Sequence, residues 1–177
     1  MALSPDKFAE RARALRALVL DVDGVLTDGR ITYGNSGEEL KSFNIKDGLG
    51  IKLLQQAGIS VAIITGRQSE IVKRRAAELG IDHIIQGRED KRTALLELCQ
   101  QTGMDPIDCA YMGDDLPDLG ALLIAGLGLA PADASKAITD AADWQSQLKG
   151  GAGAVREAAE AILEARGQLA DLEAGFR

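Results

Sequence analysis

Five short apolar runs recur along the chain, separated by stretches long enough for helices: Leu18-Val19-Leu20, Val61-Ala62-Ile63-Ile64, His83-Ile84-Ile85, Ala110-Tyr111-Met112 and Leu127-Gly128-Leu129. Runs this short and apolar suit strands buried on both faces, and the lengths between them suit crossover helices. The pattern therefore specifies an α/β fold: a Rossmann-like parallel sheet with helices on both faces. Helices are expected around Gly48 to Ala57, Gln68 to Leu79, Lys91 to Thr102, Leu116 to Ala125 and Ala154 to Arg166. In the last, Val155, Ala158, Ala159, Ile162 and Leu163 recur at helical spacing. The 177 residues show no internal repeat and no linker, so 1–177 is expected to form one domain, with 167–177 a mobile tail.

The alternation breaks once. After the first run come Arg30-Ile31-Thr32-Tyr33, then Gly34-Asn35-Ser36-Gly37, then Glu38-Glu39-Leu40-Lys41. Two short strand-like segments around a glycine- and asparagine-rich turn read as a β-hairpin inserted at about 29–43. A lone hairpin is marginal in water, so this one is expected to pack on a partner subunit.

Composition narrows the chemistry. A formal net charge of -7 argues against binding nucleic acid, which calls for a basic face. No apolar run approaches the roughly 20 residues that span a bilayer. Met1 to Arg16 alternates charged and apolar residues, unlike a signal peptide. Cys99 and Cys109 form neither a disulfide framework nor a CxxC, and are expected to be small core residues of a cytoplasmic protein. His83 is the sole histidine, expected as a partly buried strand residue, so a multi-histidine metal site within one chain is excluded. Aspartates are plentiful. Carboxylate and hard-metal chemistry remains.

Ligands of open parallel sheets bind at the carboxyl ends of the strands. There the first run enters Asp21-Val22-Asp23-Gly24, the second Thr65-Gly66-Arg67, and the fourth Gly113-Asp114-Asp115 with Asp118 one turn on; Lys91 opens the helix after the third. Singly, each is ordinary: Asp-x-Asp-Gly can be a turn, Thr65-Gly66 a cap. An EF-hand loop fails because Leu26 and Thr32 stand where glycine and glutamate are required. Together they describe a site. Clustered carboxylates need a cation among them, and oxygen-only ligands with room for water and phosphate favour Mg²⁺. A carboxylate beside that ion can attack phosphorus, and a second one two residues on can protonate the leaving alkoxide and then activate water. Thr65, the helix-start amides after it and Lys91 can hold phosphoryl oxygens.

In Leu20 to Gly24, Thr65-Gly66-Arg67, Lys91 and Gly113-Asp114-Asp115-x-x-Asp118, the chain resembles the haloacid dehalogenase superfamily of phosphohydrolases. Asp21 to Gly29, Gly37 to Lys41, Phe43-Asn44-Ile45-Lys46-Asp47-Gly48 and Gly150-Gly151-Ala152-Gly153-Ala154-Val155-Arg156-Glu157 narrow the resemblance. They are similar to segments of the phosphatases of 3-deoxy-D-manno-octulosonate 8-phosphate, a family of the pathway to lipopolysaccharide. The resemblance implies Asp21 as nucleophile and Asp23 as general acid/base. It implies Mg²⁺ held by the Asp21 carboxylate, the Asp23 carbonyl and Asp114, with Asp118 supporting and Asp115 further out, and phosphate on Thr65 and Lys91. The phosphorylated sugar acid would meet Asp23, a loop of Asn44, Ile45, Lys46, Asp47 and Gly48, and Lys52, Gly66, Arg67 and Arg75. It further implies no large cap domain, and a homotetramer whose hairpins form a central barrel. Lys52 departs from an arginine, Trp144-Gln145-Ser146 from Tyr-Val-Thr, and the chain after Gly167 matches poorly. A phosphatase of a nine-carbon keto-sugar acid 9-phosphate, or an inactive binding or assembly module on the same fold, would share much of this pattern.

Overall fold

A computed structural model describes residues 3–177. In chain order the elements are α1 (Pro5–Ala14), β1 (Ala17–Leu20), β2 (Thr32–Tyr33), β3 (Glu39–Leu40), α2 (Ile45–Gln56), β4 (Ser60–Thr65), α3 (Glu70–Leu79) and β5 (His83–Gln86). They continue with α4 (Lys91–Thr102), β6 (Cys109–Met112), α5 (Leu116–Ile124), β7 (Leu127–Ala130), α6 (Lys136–Ala141), β8 (Trp144–Gln145), α7 (Ala154–Ala165) and α8 (Leu169–Ala174).

Six strands form one sheet in the order β5-β4-β1-β6-β7-β8, every neighbouring pair parallel. Leu20 pairs with Ile63 of β4 and Met112 of β6, so Asp21, Thr65 and Gly113-Asp114 emerge at one edge. The chain reverses its progress across the sheet at β1, the position where ligands of such sheets bind.

Both faces of β1 are buried. Leu18 and Leu20 join the core under α2, α3 and α7, whereas Ala17 and Val19 join the core under α4, α5 and α6. Burying each such leucine contributes about 1.5–3 kcal/mol. Cys99 and Cys109 lie in the second core, as their apolar surroundings in sequence predict. The hairpin, β2 against β3, stands outside these layers with Ile31, Tyr33 and Leu40 exposed. No cap domain accompanies it among the described residues.

Several elements differ from the sequence pattern. Helix α2 begins at Ile45 rather than Gly48, because Asn44 caps it by accepting the Lys46 amide at 2.8 Å. Residues 45–48 are thus a helical turn, not a loop. His83 is exposed rather than partly buried, since β5 is an edge strand. Ser4 caps α1, with Pro5 at its first position, a start signal that the charge alternation hides. The tail contains α8, whose Leu169 and Leu172 pack on the first core. Strand β8 and helix α6 are too short to show a period.

Candidate active site

The end of β1 is fixed by backbone bonds. The Asp21 amide donates to the Met112 carbonyl at 3.0 Å, and the amides of Val25, Leu26 and Thr27 all converge on the Val22 carbonyl. Gly24 closes this turn at φ +98°, and a Cβ there would meet Asp114 Oδ2 at 2.0 Å. The loop therefore approaches Asp114 as only glycine allows. From behind, Gly150 presses so close that its Cβ would stand 1.8 Å from the Gly24 carbonyl oxygen. That contact explains why a glycine-rich segment lies before α7.

Lys91, the first residue of α4, is buried with its Nζ 2.8 Å from Asp21 Oδ1 and 2.7 Å from Asp118 Oδ1. Asp118 also accepts the Tyr111 hydroxyl at 2.7 Å on Oδ1, and the Asp114 and Asp115 amides at 3.1 and 3.3 Å on Oδ2. Every lone-pair direction of this carboxylate is engaged, so it braces the others. Asp115 caps α5 from an exposed position, accepting the Leu116 amide. Thr65 is buried at the end of β4.

The electrostatics show what the cluster lacks. Burial pushes the Asp21 carboxyl up to about 7; the Asp118 carboxylate adds to this and Lys91 opposes it. Burial likewise raises Asp114 to about 6, again reinforced by Asp118. Desolvation works against a charged Lys91, but Asp21 and Asp118 hold its ammonium above the ordinary lysine value. One cation serves three carboxylates, Asp21 and Asp118 buried and Asp114 half-buried, and one oxygen of each lies within 4.8 Å of the others. An all-oxygen donor set with excess negative charge fits a hard divalent cation such as Mg²⁺.

The other sequence-derived residues divide into two groups. Asp23 is paired with Lys41, and Arg67 Nη2 donates to Glu39 Oε2 at 2.9 Å, so both face the hairpin. Arg67 is also bonded by Tyr33, and with Glu39 this raises its guanidinium above the usual arginine value. Arg75 lies with Cζ 5.9 Å above the Phe43 ring and beside Gly48, and its Nη1 donates to Glu78 at 3.3 Å. Asn44 reaches the Gly151 carbonyl at 3.4 Å, while Ile45 and Lys46 are exposed on the first turn of α2. Gly66 lies at the turn after β4. Two residues are not brought to the cluster. Asp47 is buried with Oδ1 accepting the Arg156 amide at 2.9 Å, so it joins α2 to the start of α7. Lys52 Nζ stands 3.3 Å from where a Cβ on Gly80 would sit, beyond the end of α3 and towards the edge where the strands begin.

The sequence motifs did not single out Lys41, Glu39 or Tyr111 as parts of the site. Strand alternation offers a signal for the first pair: Glu39 and Lys41 share a face, opposite Leu40.

A haloacid dehalogenase-like hydrolase model matches residues 44–126. The 3-deoxy-D-manno-octulosonate 8-phosphate phosphatase KdsC of Escherichia coli (strain K12) is 46% identical over 167 residues, 94% of this chain and 88% of that protein. A crystal structure of 3-deoxy-D-manno-octulosonate 8-phosphate phosphatase from Moraxella catarrhalis, in complex with magnesium ion, phosphate ion and KDO, superposes with a TM-score of 0.95 at 45% identity. It covers 97% of this chain and 99% of its own. The cobalt-bound deoxy-D-mannose-octulosonate 8-phosphate phosphatase from Haemophilus influenzae gives a TM-score of 0.87 at 43% identity, over 90% and 93% of the two chains.

Proposed function

The chain belongs to the 3-deoxy-D-manno-octulosonate 8-phosphate (KDO 8-phosphate) phosphatases of the haloacid dehalogenase-like hydrolases, and we propose that it hydrolyses KDO 8-phosphate through an aspartyl-phosphate on Asp21. The observation that carries this reading is the buried Asp21–Lys91–Asp118 triad beside Asp114 at the carboxyl ends of β1 and β6.

Asp21, held by Lys91, attacks phosphorus, and the bond from phosphorus to the sugar oxygen breaks. Asp23, two residues along the same turn, gives its proton to the leaving alkoxide. It then takes a proton from water, whose oxygen attacks phosphorus and releases inorganic phosphate from Asp21. Thr65 and Lys91 orient the phosphoryl group. The Asp21 and Asp114 carboxylates and the Asp23 carbonyl are the groups that would hold Mg²⁺, with Asp118 bracing them. Mg²⁺ bound there supplies neutralisation of the phosphoryl oxygens.

For the sugar acid, Arg67, Arg75, Asn44 and the exposed first turn of α2 offer cationic and amide groups near the hairpin, suited to a carboxylate and hydroxyls. The exposed Ile31, Tyr33 and Leu40 support assembly through the hairpin, and a homotetramer closes the hairpin edges into a barrel that covers the sites. The described residues contain no helix long and apolar enough to cross a membrane, and a cytoplasmic place in lipopolysaccharide biosynthesis completes the reading.

Phosphate release from eight- and nine-carbon keto-acid phosphates, set beside hexose phosphates, tests the substrate. KDO 8-phosphate is expected to exceed glucose 6-phosphate in kcat/KM by several orders of magnitude, since buried polar groups left unpaired penalise the wrong ligand. A higher value on the nine-carbon 9-phosphate would reassign the substrate.

A further inference from the structure

The two aspartates of the β1 turn are each held by a lysine, and only Lys91 has a role in the mechanism above. The other is Lys41, immediately after β3. Its side chain is 2% exposed, a burial that lysine reaches only when its ammonium is paired. Its Nζ donates to Asp23 Oδ1 and stands 3.4 Å from Glu39 Oε1. Glu39 also accepts Arg67 Nη2 at 2.9 Å, and Arg67 follows Thr65-Gly66 directly. A row of alternating charge therefore runs from Asp23 through the hairpin to the turn after β4.

This arrangement restricts what Lys41 can do. An ammonium shut off from solvent and shared by two carboxylates is poorly placed to receive a phosphoryl group or a substrate carboxylate. It is well placed to fix a neighbouring side chain. Proton transfer needs the Asp23 oxygen within about 2.6–3.2 Å of the leaving oxygen, and a carboxylate on a turn otherwise samples several rotamers.

We propose that Lys41, anchored by Glu39, is the positioning residue that aims the Asp23 carboxylate at the leaving group, so that the hairpin sets the geometry of proton transfer. The proposal rests on Asp23 being the general acid/base. It makes the hairpin part of the chemistry as well as of the assembly.

The test compares leaving groups in kcat/KM, which reads the steps up to the first irreversible one. A sugar alkoxide needs protonation to depart; a nitrophenolate departs without it. Lys41→Met is expected to lower kcat/KM on KDO 8-phosphate by roughly 100-fold, the scale of lost acid catalysis, and by at least about tenfold less on 4-nitrophenyl phosphate. Asp23→Asn should show the same selectivity. The double variant should match Asp23→Asn within about twofold, since two residues acting through one group are not additive. Lys41→Arg should recover part of the loss. Glu39→Gln, which leaves the ammonium paired with Asp23, should give a smaller loss of the same selectivity. Light scattering and circular dichroism confirm that assembly and fold persist.

Equal losses on both substrates would make Lys41 a phosphate ligand or a folding residue and overturn the proposal. Additive losses with Asp23→Asn would do the same. If Asp23→Asn itself fails to discriminate, the acid/base assignment falls and takes this proposal with it. If it discriminates and Lys41→Met does not, the proposal alone falls.

Discussion

The Lys91 ammonium lies 2.7 Å from Asp118 Oδ1, and neither group reaches solvent. Removing Asp118 leaves Lys91 with Asp21 alone as its close counter-charge and takes away the acceptor for the groups that Asp118 holds. Asp118→Ala is expected to lower stability towards the lower end of about 3–5 kcal/mol, because Asp21 still faces Lys91. It also frees the Tyr111 hydroxyl and the Asp114 amide, so turnover should fall with it. Urea unfolding of the metal-free protein gives the first quantity and phosphate release the second. A change under about 0.5 kcal/mol, the scale of an ordinary surface substitution, would show that the pair does not hold the site together.

Gly24 and Asp114 make a second, independent test. Alanine at position 24 would carry its Cβ into the Asp114 carboxylate while adopting a φ that side chains avoid, at about 1–3 kcal/mol of strain. Asp114 must then swing away. Gly24→Ala is expected to raise the Mg²⁺ concentration for half-maximal activity more than about tenfold, the scale of 1.4 kcal/mol in binding. Isothermal titration with Mg²⁺ alone should show the same shift.

The raised carboxylates predict an unusual pH dependence. Asp21 and Asp114 move from 3.8 to about 7 and about 6 in the folded chain. Between about pH 4 and 7 the folded state therefore holds more protons than the unfolded state, so these two groups make stability fall as pH rises through that window. The chelated wild-type protein should lose stability from pH 5 to pH 7.5, and Asp114→Asn should flatten that slope. Saturating Mg²⁺ should flatten it too, because the cation matches the charge. Thermal unfolding at the two pH values checks all three. A chelated wild-type slope no steeper than that of Asp114→Asn would contradict the charge balance drawn for the site.

The exposed hairpin predicts assembly behaviour. Replacing Ile31 to Leu40 with a tight turn should yield monomers or dimers by light scattering, because it removes Ile31, Tyr33 and Leu40 together. Those species should lose KDO 8-phosphate hydrolysis while keeping their helical content and some turnover of an aryl phosphate. A wild-type protein that is monomeric and fully active at assay concentration would separate the hairpin from function.

The parallel sheet was legible because β1, β4 and β6 are short apolar runs that give way to polar or glycine residues at Asp21, Thr65 and Gly113. The carboxylate cluster was legible for the same reason: those stops must share an edge. Contacts between segments distant in sequence were not. Nothing local says that Asp47 turns away from the site to accept the Arg156 amide, 109 positions on. Lys52 looks available on a helix, yet it points towards Gly80. Nothing in the hairpin's own sequence says that the turn after β1 brings Asp23 against Lys41, which Glu39 also flanks. The start of α2 was hidden because Gly48 and Gly50 weaken its helical pattern, and Gly50 is there so that α7 can cross, a Cβ at that point meeting Arg156 Cα at 3.0 Å.

The most direct measurement is to trap the covalent intermediate. KDO 8-phosphate carrying ³²P, mixed with enzyme and Mg²⁺ and quenched in acid within one turnover, should leave label on the precipitated protein. After trypsin, that label should reside on the peptide Ala17 to Arg30, which holds Asp21, Asp23 and Asp28. Asp21→Asn should carry none and should turn over at least about a thousandfold more slowly, as expected when a nucleophile is removed. Label on another peptide, or Asp21→Asn releasing phosphate at a tenth of the normal rate, would contradict the assignment of Asp21 as the nucleophile.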